Sequence, residues 1–250
     1  NCRGGEIAIP NSVTSIGDHA FYKSGFTSVT IGNSVTKISR YAFAQCTQLT
    51  SVNMGGSVTL IESSAFDYCT SLAEIAIPSS VTEIGSWAFR SCWALTSVTI
   101  PSSVTKIDQG AFSYCTGLTS VTIPNSVTEI GVEAFYNTPF YNNQPDGVIY
   151  LGRVLYNYKG TMPMNTSLFV KEGTVSISYS AFNNCTDLTS ITIPNSVTKI
   201  GDLAFYNCTG LTSIAIGNSV KEIGRNAFAR CTGLTEIGVE ATTPPTVYEN

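Results

Sequence analysis

The dipeptide Ala-Phe returns nine times, beginning at Ala20, Ala42, Ala65, Ala88, Ala111, Ala134, Ala181, Ala204 and Ala227, in steps of 22, 23, 23, 23, 23, 47, 23 and 23 residues. A chain written this way is a stack of equivalent units, because one unit of this length cannot bury its own apolar face and must lay it against the next copy. The step of 47 is two periods plus one residue, so one copy is remodelled without loss of phase.

From Ala111 one unit reads AFSYCTGLTSVTIPNSVTEIGVE. Its apolar residues, Phe112, Leu118, Val121, Ile123, Val127 and Ile130, are the inward positions. Thr119 to Ile123 alternates polar with apolar β-branched residues, the pattern of a half-buried strand, and Pro124 ends it. Val127 to Ile130 reads as a second short extended piece. The glycines at 17, 85, 131, 201 and 224 mark the corner that follows, and Ala-Phe-x-x-Cys has the spacing of a helical or 3-10 turn. The expected fold is therefore α/β: a right-handed solenoid of coils about 23 residues long. Short parallel strands line its concave face, and short second strands and helical or 3-10 turns make up the rest. Stacking at about 4.8 Å would make residues 1–250 a single elongated domain, on the order of 50 Å long. Ile7 to Pro10 copies a strand end and ATTPPTVYEN starts another unit, so the chain is expected to be a piece of a longer one.

The order Leu-x-x-Val-x-Ile-Pro-x-Ser-Val-x-x-Ile-Gly-x-x-Ala-Phe-x-x-Cys, carried by Leu118 to Ile130 and on through Ala134-Phe135, resembles the leucine-rich repeats of BspA-like bacterial surface proteins. Nearly the whole chain shares it. Ser80, Ser103, Ser126 and Ser196 stand where leucine-rich repeats in general have Asn or Cys, as is usual in the BspA-like class. The resemblance implies a secreted or outer-surface protein, adhesion to host matrix proteins, and no catalytic residues.

Only 12% of residues are Asp, Glu, Lys or Arg, about half the usual share. With a net charge of -4 the chain offers no clustered cations for a phosphate backbone or an anionic bilayer, so nucleic acid is excluded as a partner. No stretch nears the 20 or so apolar residues needed to span a membrane, so no insertion is expected within this segment. Cys46, Cys69, Cys92, Cys115, Cys185, Cys208 and Cys231 each stand three residues after the repeat Phe. Stacking would bring neighbours within bridging range, but a column of equivalent sites is better read as buried thiols than as disulfides or a metal site. Cys2 lies outside the phase. His19 is the single histidine and lacks the company of a triad or metal site. Glu83, Glu129 and Glu222 share a repeat position with Lys37, Lys106 and Lys199, and that interchange of sign marks a solvated face. No catalytic, cofactor-binding or metal-binding residues are assigned, and no cofactor.

A partner would meet the outward side chains of the long strands. One column runs through Ser97, Ser120 and Ser190, another through Thr99, Thr122 and Thr192, with Phe169 where that second column would place Thr. The remodelled copy, residues 137–166, reads as a β-hairpin turning at Gly152-Arg153 in type II′. That register pairs Leu151 with Val154 and Ile149 with Tyr156. It places Tyr150 and Leu155 on a second face, an anchor patch if exposed. The expected function is a monomeric, extracellular, non-catalytic module for a protein or glycan ligand. A structural spacer is the alternative, and an enzyme the weakest reading.

Overall fold

A computed structural model describes residues 4–239 and the backbone of 246–247. Cys2 and most of the C-terminal ATTPPTVYEN segment lie outside the described residues. Two compact units are present, Asn1–Gln144 and Pro145–Asn250.

In the first unit every coil contributes a long and a short strand, and each kind pairs in parallel with its counterparts. The long strands Glu6–Ile9, Ser28–Ile31, Ser51–Asn53 and Glu74–Ile75 form one ladder, and Ser97–Thr99 with Ser120–Thr122 a second. The short strands, from Ser15–Ile16 through Lys37–Ile38, Leu60–Ile61, Glu83–Ile84 and Lys106–Ile107 to Glu129–Ile130, make an unbroken ladder of six. The register sets like against like: Val29 beside Val52, Ile38 beside Ile61, Ile84 beside Ile107. Each inward residue therefore stacks on its own copy, and Ile38, Ile61, Ile84 and Ile107 have no exposure. Lys106 meets Glu83 across the short strands at 3.2 Å, so the sign interchange seen in the sequence makes exposed inter-coil ion pairs, each worth at most about 1 kcal/mol.

Threonines join the ladders. Thr50 donates its hydroxyl to the Thr27 carbonyl at 3.0 Å, and Thr59 to the Thr36 carbonyl at 3.1 Å. Ser80 and Ser126 do the same to the carbonyls of Val58 and Val104 at 2.6 and 2.9 Å. A chain poor in charge thus uses its hydroxyls to hold coil to coil. At the corner glycines the reason is space: a Cβ on Gly85 would lie 2.8 Å from the Ile61 carbonyl oxygen of the preceding coil.

The Ala-Phe segments are not helical. In each coil the residue before Ala and the second residue after Phe take left-handed backbone, as at Trp87 (φ 56°) and Ser91 (φ 57°). A left-handed residue ends helical winding, and the segment folds into overlapping turns: Ala88 to Gly85, Arg90 to Trp87, Cys92 to Phe89. The intervening amides are turned outward along the stack. Trp87, Phe89 and Ser91 donate to the carbonyls of Gln109, Ala111 and Ser113 at 2.8, 2.8 and 2.9 Å. These turns are thus a third hydrogen-bonded side of the coil. The solenoid expected from the repeat stands; its helical corners are replaced by turns.

Beneath the turns runs a column of phenylalanines. Phe21, Phe43, Phe66, Phe89, Phe112 and Phe135 stack with centroids 5.1, 5.1, 5.3, 5.3 and 5.6 Å apart and planes within 9°. Phe140 closes the column edge-on against Phe135 at 5.3 Å. It is carried by a one-turn helix, Pro139–Asn142, capped by Thr138, whose hydroxyl accepts from the Tyr141 amide at 3.1 Å. Thr-Pro is a readable helix start, which the sequence reading passed over.

The described cysteines are free thiols. Each buried one finds an acceptor in the preceding coil: Cys69 on the Phe43 carbonyl at 3.2 Å, Cys92 on Phe66 at 3.3 Å, Cys115 on Phe89 at 3.0 Å. The phenylalanine carbonyl therefore accepts twice, from its own coil's Cys amide and from the next coil's thiol. Burial holds the thiol protons, pushing Cys46 and Cys185 up to about 11 and Cys69 and Cys92 well above the usual range.

The second unit begins with the hairpin Gly147–Leu151 and Val154–Lys159, which turns at Gly152 (φ 60°). Leu151 faces Val154 as expected, but a bulge then shifts the pairing, so Ile149 faces Asn157 and not Tyr156. The second hairpin strand heads the short-strand ladder, pairing with Ser176–Ile177 and followed by Lys199–Ile200, Glu222–Ile223 and Thr246–Val247. Long strands Thr166–Phe169, Leu188–Ile193, Ser213–Ile216 and Glu236–Val239 form the other ladder. Tyr158 takes the place of the repeat phenylalanine: its amide donates to the Ala181 carbonyl at 2.7 Å and its ring lies 6.4 Å from Phe182.

Two outcomes follow from this packing. Phe89→Ala should lower the unfolding free energy of the first unit by about 3–5 kcal/mol, measured by urea denaturation, since it empties a site closed on both sides. Because the folded thiols keep their protons to about pH 11 at Cys46 and Cys185 while an unfolded thiol ionises near 9.0, stability should fall as pH rises between those values. Melting curves from pH 7 to 11 check this, with Cys46→Ala/Cys185→Ala reducing the slope.

Candidate functional site

The long-strand faces carry the outward residues where the repeat predicts them. In the first unit Ser97 pairs with Ser120 and Thr99 with Thr122, all four exposed. In the second, Phe169 lies beside Thr192 and Ser190 beside Ser167, with the two serine hydroxyls 2.7 Å apart. Each set is a flat array of small hydroxyls on hydrogen-bonded strands. Phe169 breaks the pattern of the second: it is 80% exposed on a strand whose neighbour offers Thr192. Met164, just before that strand, is 82% exposed.

The two hairpin residues separate from this set. Leu155 is fully buried because it pairs with Ile177 and so continues the inward column of Ile177 and Ile200. The anchor patch expected on the second hairpin face is corrected accordingly: Leu155 belongs to the core of the second unit. Tyr150 is half-buried, and its hydroxyl accepts the Lys171 amide at 3.0 Å. Desolvation raises its pKa. It ties the hairpin to the loop after the Phe169 strand.

The sequence reading missed the most conspicuous side chains on the other side of the first unit. One exposed aromatic rises from the turn segment of each of six successive coils: Tyr22, Tyr41, Tyr68, Trp93, Tyr114 and Tyr136, between 37% and 50% exposed. Rings of successive coils touch: His19 stacks on Tyr41 at 4.9 Å, Tyr68 meets Trp93 edge-on at 6.5 Å, and Tyr114 meets Tyr136 at 5.4 Å. They are spread over four repeat positions, so a search by column overlooks them; counting aromatics in the turn segment of each coil would have found them. Arg90 lies over Tyr68 and clamps the buried Asp67 with two hydrogen bonds of 2.8 and 2.7 Å.

Chemically, these surfaces can bind and stack. His19 faces Tyr22 and Tyr41, not a nucleophile. Among the described residues no group of three or more His, Cys, Asp or Glu side chains is placed to hold a metal ion. No helix is long and apolar enough to cross a membrane among them either.

Parallel strands on two sides of each coil and one inward Leu, Val, Ile and Phe per turn of the stack define a leucine-rich repeat solenoid. The six-copy profile of the BspA type leucine-rich repeat region matches residues 1–115, 46–159 and 155–244, and the chain belongs to that family. A leucine-rich repeat protein from Bacteroides ovatus is 24% identical with a TM-score of 0.55, the match covering 98% of this chain and 82% of that one. A leucine-rich cell surface protein from Faecalibacterium prausnitzii is 28% identical with a TM-score of 0.53, covering 95% and 88%. The pneumococcal vaccine antigen PcpA shares the fold at 21% identity and a TM-score of 0.53, covering 96% and 79%. No curated protein sequence matches the chain.

Proposed function

We propose that this chain is a non-catalytic, extracellular binding module of the adhesion type, and that the long-strand face around Phe169 docks a protein partner. Phe169 carries the reading. The repeat puts a small residue at that place, as at Thr99, Thr122, Thr192 and Ala215, and a phenylalanine left 80% exposed there contributes nothing to the core. Seated in a partner's pocket the same ring would contribute about 1.5–3 kcal/mol. Hydrogen-bonded strands hold it, so little backbone entropy is lost on docking. The hydroxyls of Ser190 and Thr192 beside it can serve a polar rim around an aromatic anchor. Membership of the BspA-type family supports a place outside the cell, as does likeness to a protein described as a cell surface protein.

The hairpin cannot be deleted to test this, since Val154 and Leu155 are core residues. Phe169→Thr restores the repeat residue instead. Solid-phase binding to immobilised fibronectin, laminin, collagen and mucin should show at least one ligand retained by the native chain. That signal should weaken at least tenfold in Phe169→Thr, about 1.4 kcal/mol, with an unchanged melting temperature. Equal binding by both proteins, or binding to none of the four, contradicts the reading.

A further inference from the structure

We propose that the turn face of Asn1–Gln144 is a second binding surface, and that the aromatic row along it takes an extended, neutral polysaccharide. This surface is distinct from the strand face that carries Phe169.

Backbone strain is the first observation. Tyr41, Tyr68 and Tyr114 sit at left-handed positions, with φ of 54°, 57° and 59°. The scaffold imposes that conformation on whatever residue stands there, and Asn accepts it far more readily than a bulky side chain does. Equivalent left-handed positions hold Asn137, Asn184, Asn207 and Asn226. Trp93 follows the repeat cysteine, where every other coil of that pattern has threonine: Thr47, Thr70, Thr116, Thr186, Thr209 and Thr232. At these sites the chain carries large rings that are half exposed and, on three of them, strained. Large rings left partly exposed where other coils carry Asn or Thr add little to the core and point to use.

Shape and charge choose the ligand. The rings are set out one per coil, and the coil spacing is that of the phenylalanine column beneath, 5.1–5.6 Å. A file of rings supplied one per coil by six successive coils suits a linear polymer of flat units. Anchors for a globular protein are instead clustered near the centre of a patch. Pyranose rings of an extended chain advance by a similar pitch, present apolar C–H faces that lie on aromatic rings, and carry hydroxyls that can meet tyrosine hydroxyls. A tyrosine or tryptophan, apolar in body and polar at one end, suits both contacts and loses little entropy on binding. The cations beside the row are few and scattered: Lys23 lies over Tyr22, Arg40 precedes Tyr41, and Arg90, over Tyr68, is paired with Asp67. An anionic polymer would find no continuous cationic track there, so the polymer is neutral.

The test replaces three of the rings with the residues other coils use: Tyr68→Asn/Trp93→Thr/Tyr114→Asn. Affinity electrophoresis through gels containing hydroxyethyl cellulose, arabinoxylan, mixed-linkage β-glucan, galactomannan or pullulan should show the native chain retarded by at least one. The triple variant should lose that retardation at least tenfold while melting at the same temperature or higher. Phe169→Thr and Ser97→Ala/Ser120→Ala should be retarded like the native chain, which separates this surface from the strand faces. No retardation in any of the five gels overturns the proposal. So does equal retardation of the triple variant, stronger retardation by polygalacturonate or heparin, or loss of a protein ligand and no polysaccharide in the triple variant.

Discussion

Everything in this molecule depends on backbone hydrogen bonding from one coil to the next on three sides. Long strands, short strands and turns each present amides to carbonyls of a neighbouring coil, as in Thr50 to Thr27, Thr59 to Thr36 and Phe66 to Ala88. Long and short strands are built from ordinary extended residues. The turns succeed only because two residues per coil accept left-handed backbone, which releases the Ala-Phe amides from helical bonding and aims them along the stack. Once all three sides are closed, identical side chains are brought to the same depth, and the phenylalanine, cysteine and isoleucine columns follow. The columns in turn exclude water from the ladders, so backbone and side-chain order reinforce one another.

That closure frees the surface for function. Because inter-coil bonds and inward columns hold the coils, outward side chains on both faces can vary from coil to coil at little structural cost, which is how repeat scaffolds host many ligands. The two surfaces singled out here differ in character. Along the strands, hydroxyls lie in a flat field relieved by Phe169. On the turns of the first unit, aromatic rings follow one another, one to a coil. Hydroxyls that look available in the sequence divide in the same way: Thr50 and Thr59 are committed to neighbouring carbonyls, whereas Thr99 and Thr122 point out.

The period, the two strand types and the inward positions were legible in the sequence because identical residues recur at one spacing and β-branched alternation is a strong signal. The burial of Cys46, Cys69, Cys92, Cys115 and Cys208 was legible too, from a column of Cys at one repeat position. Left-handed turns were not: residues as different as Trp87, Glu133 and Leu203 occupy them, so no composition marks the conformation, which tertiary hydrogen bonding imposes. Hairpin register failed for a related reason. Alternation alone cannot show a bulge, and it was the parallel neighbour Ile177, far along the chain, that drew Leu155 inward. Aromatic residues on the turns escaped because they are spread over four repeat positions and fill no single column.

Amide hydrogen exchange followed residue by residue tests the closure of the coil most directly. The account predicts that the amides of Phe43, Phe66, Phe89 and Phe112, which lie in turns, exchange as slowly as those of Val52 and Ile61 in the strand ladders. If these four exchanged as fast as unbonded loop amides while the strands stayed protected, the turns would be mere connections and the three-sided coil would be wrong.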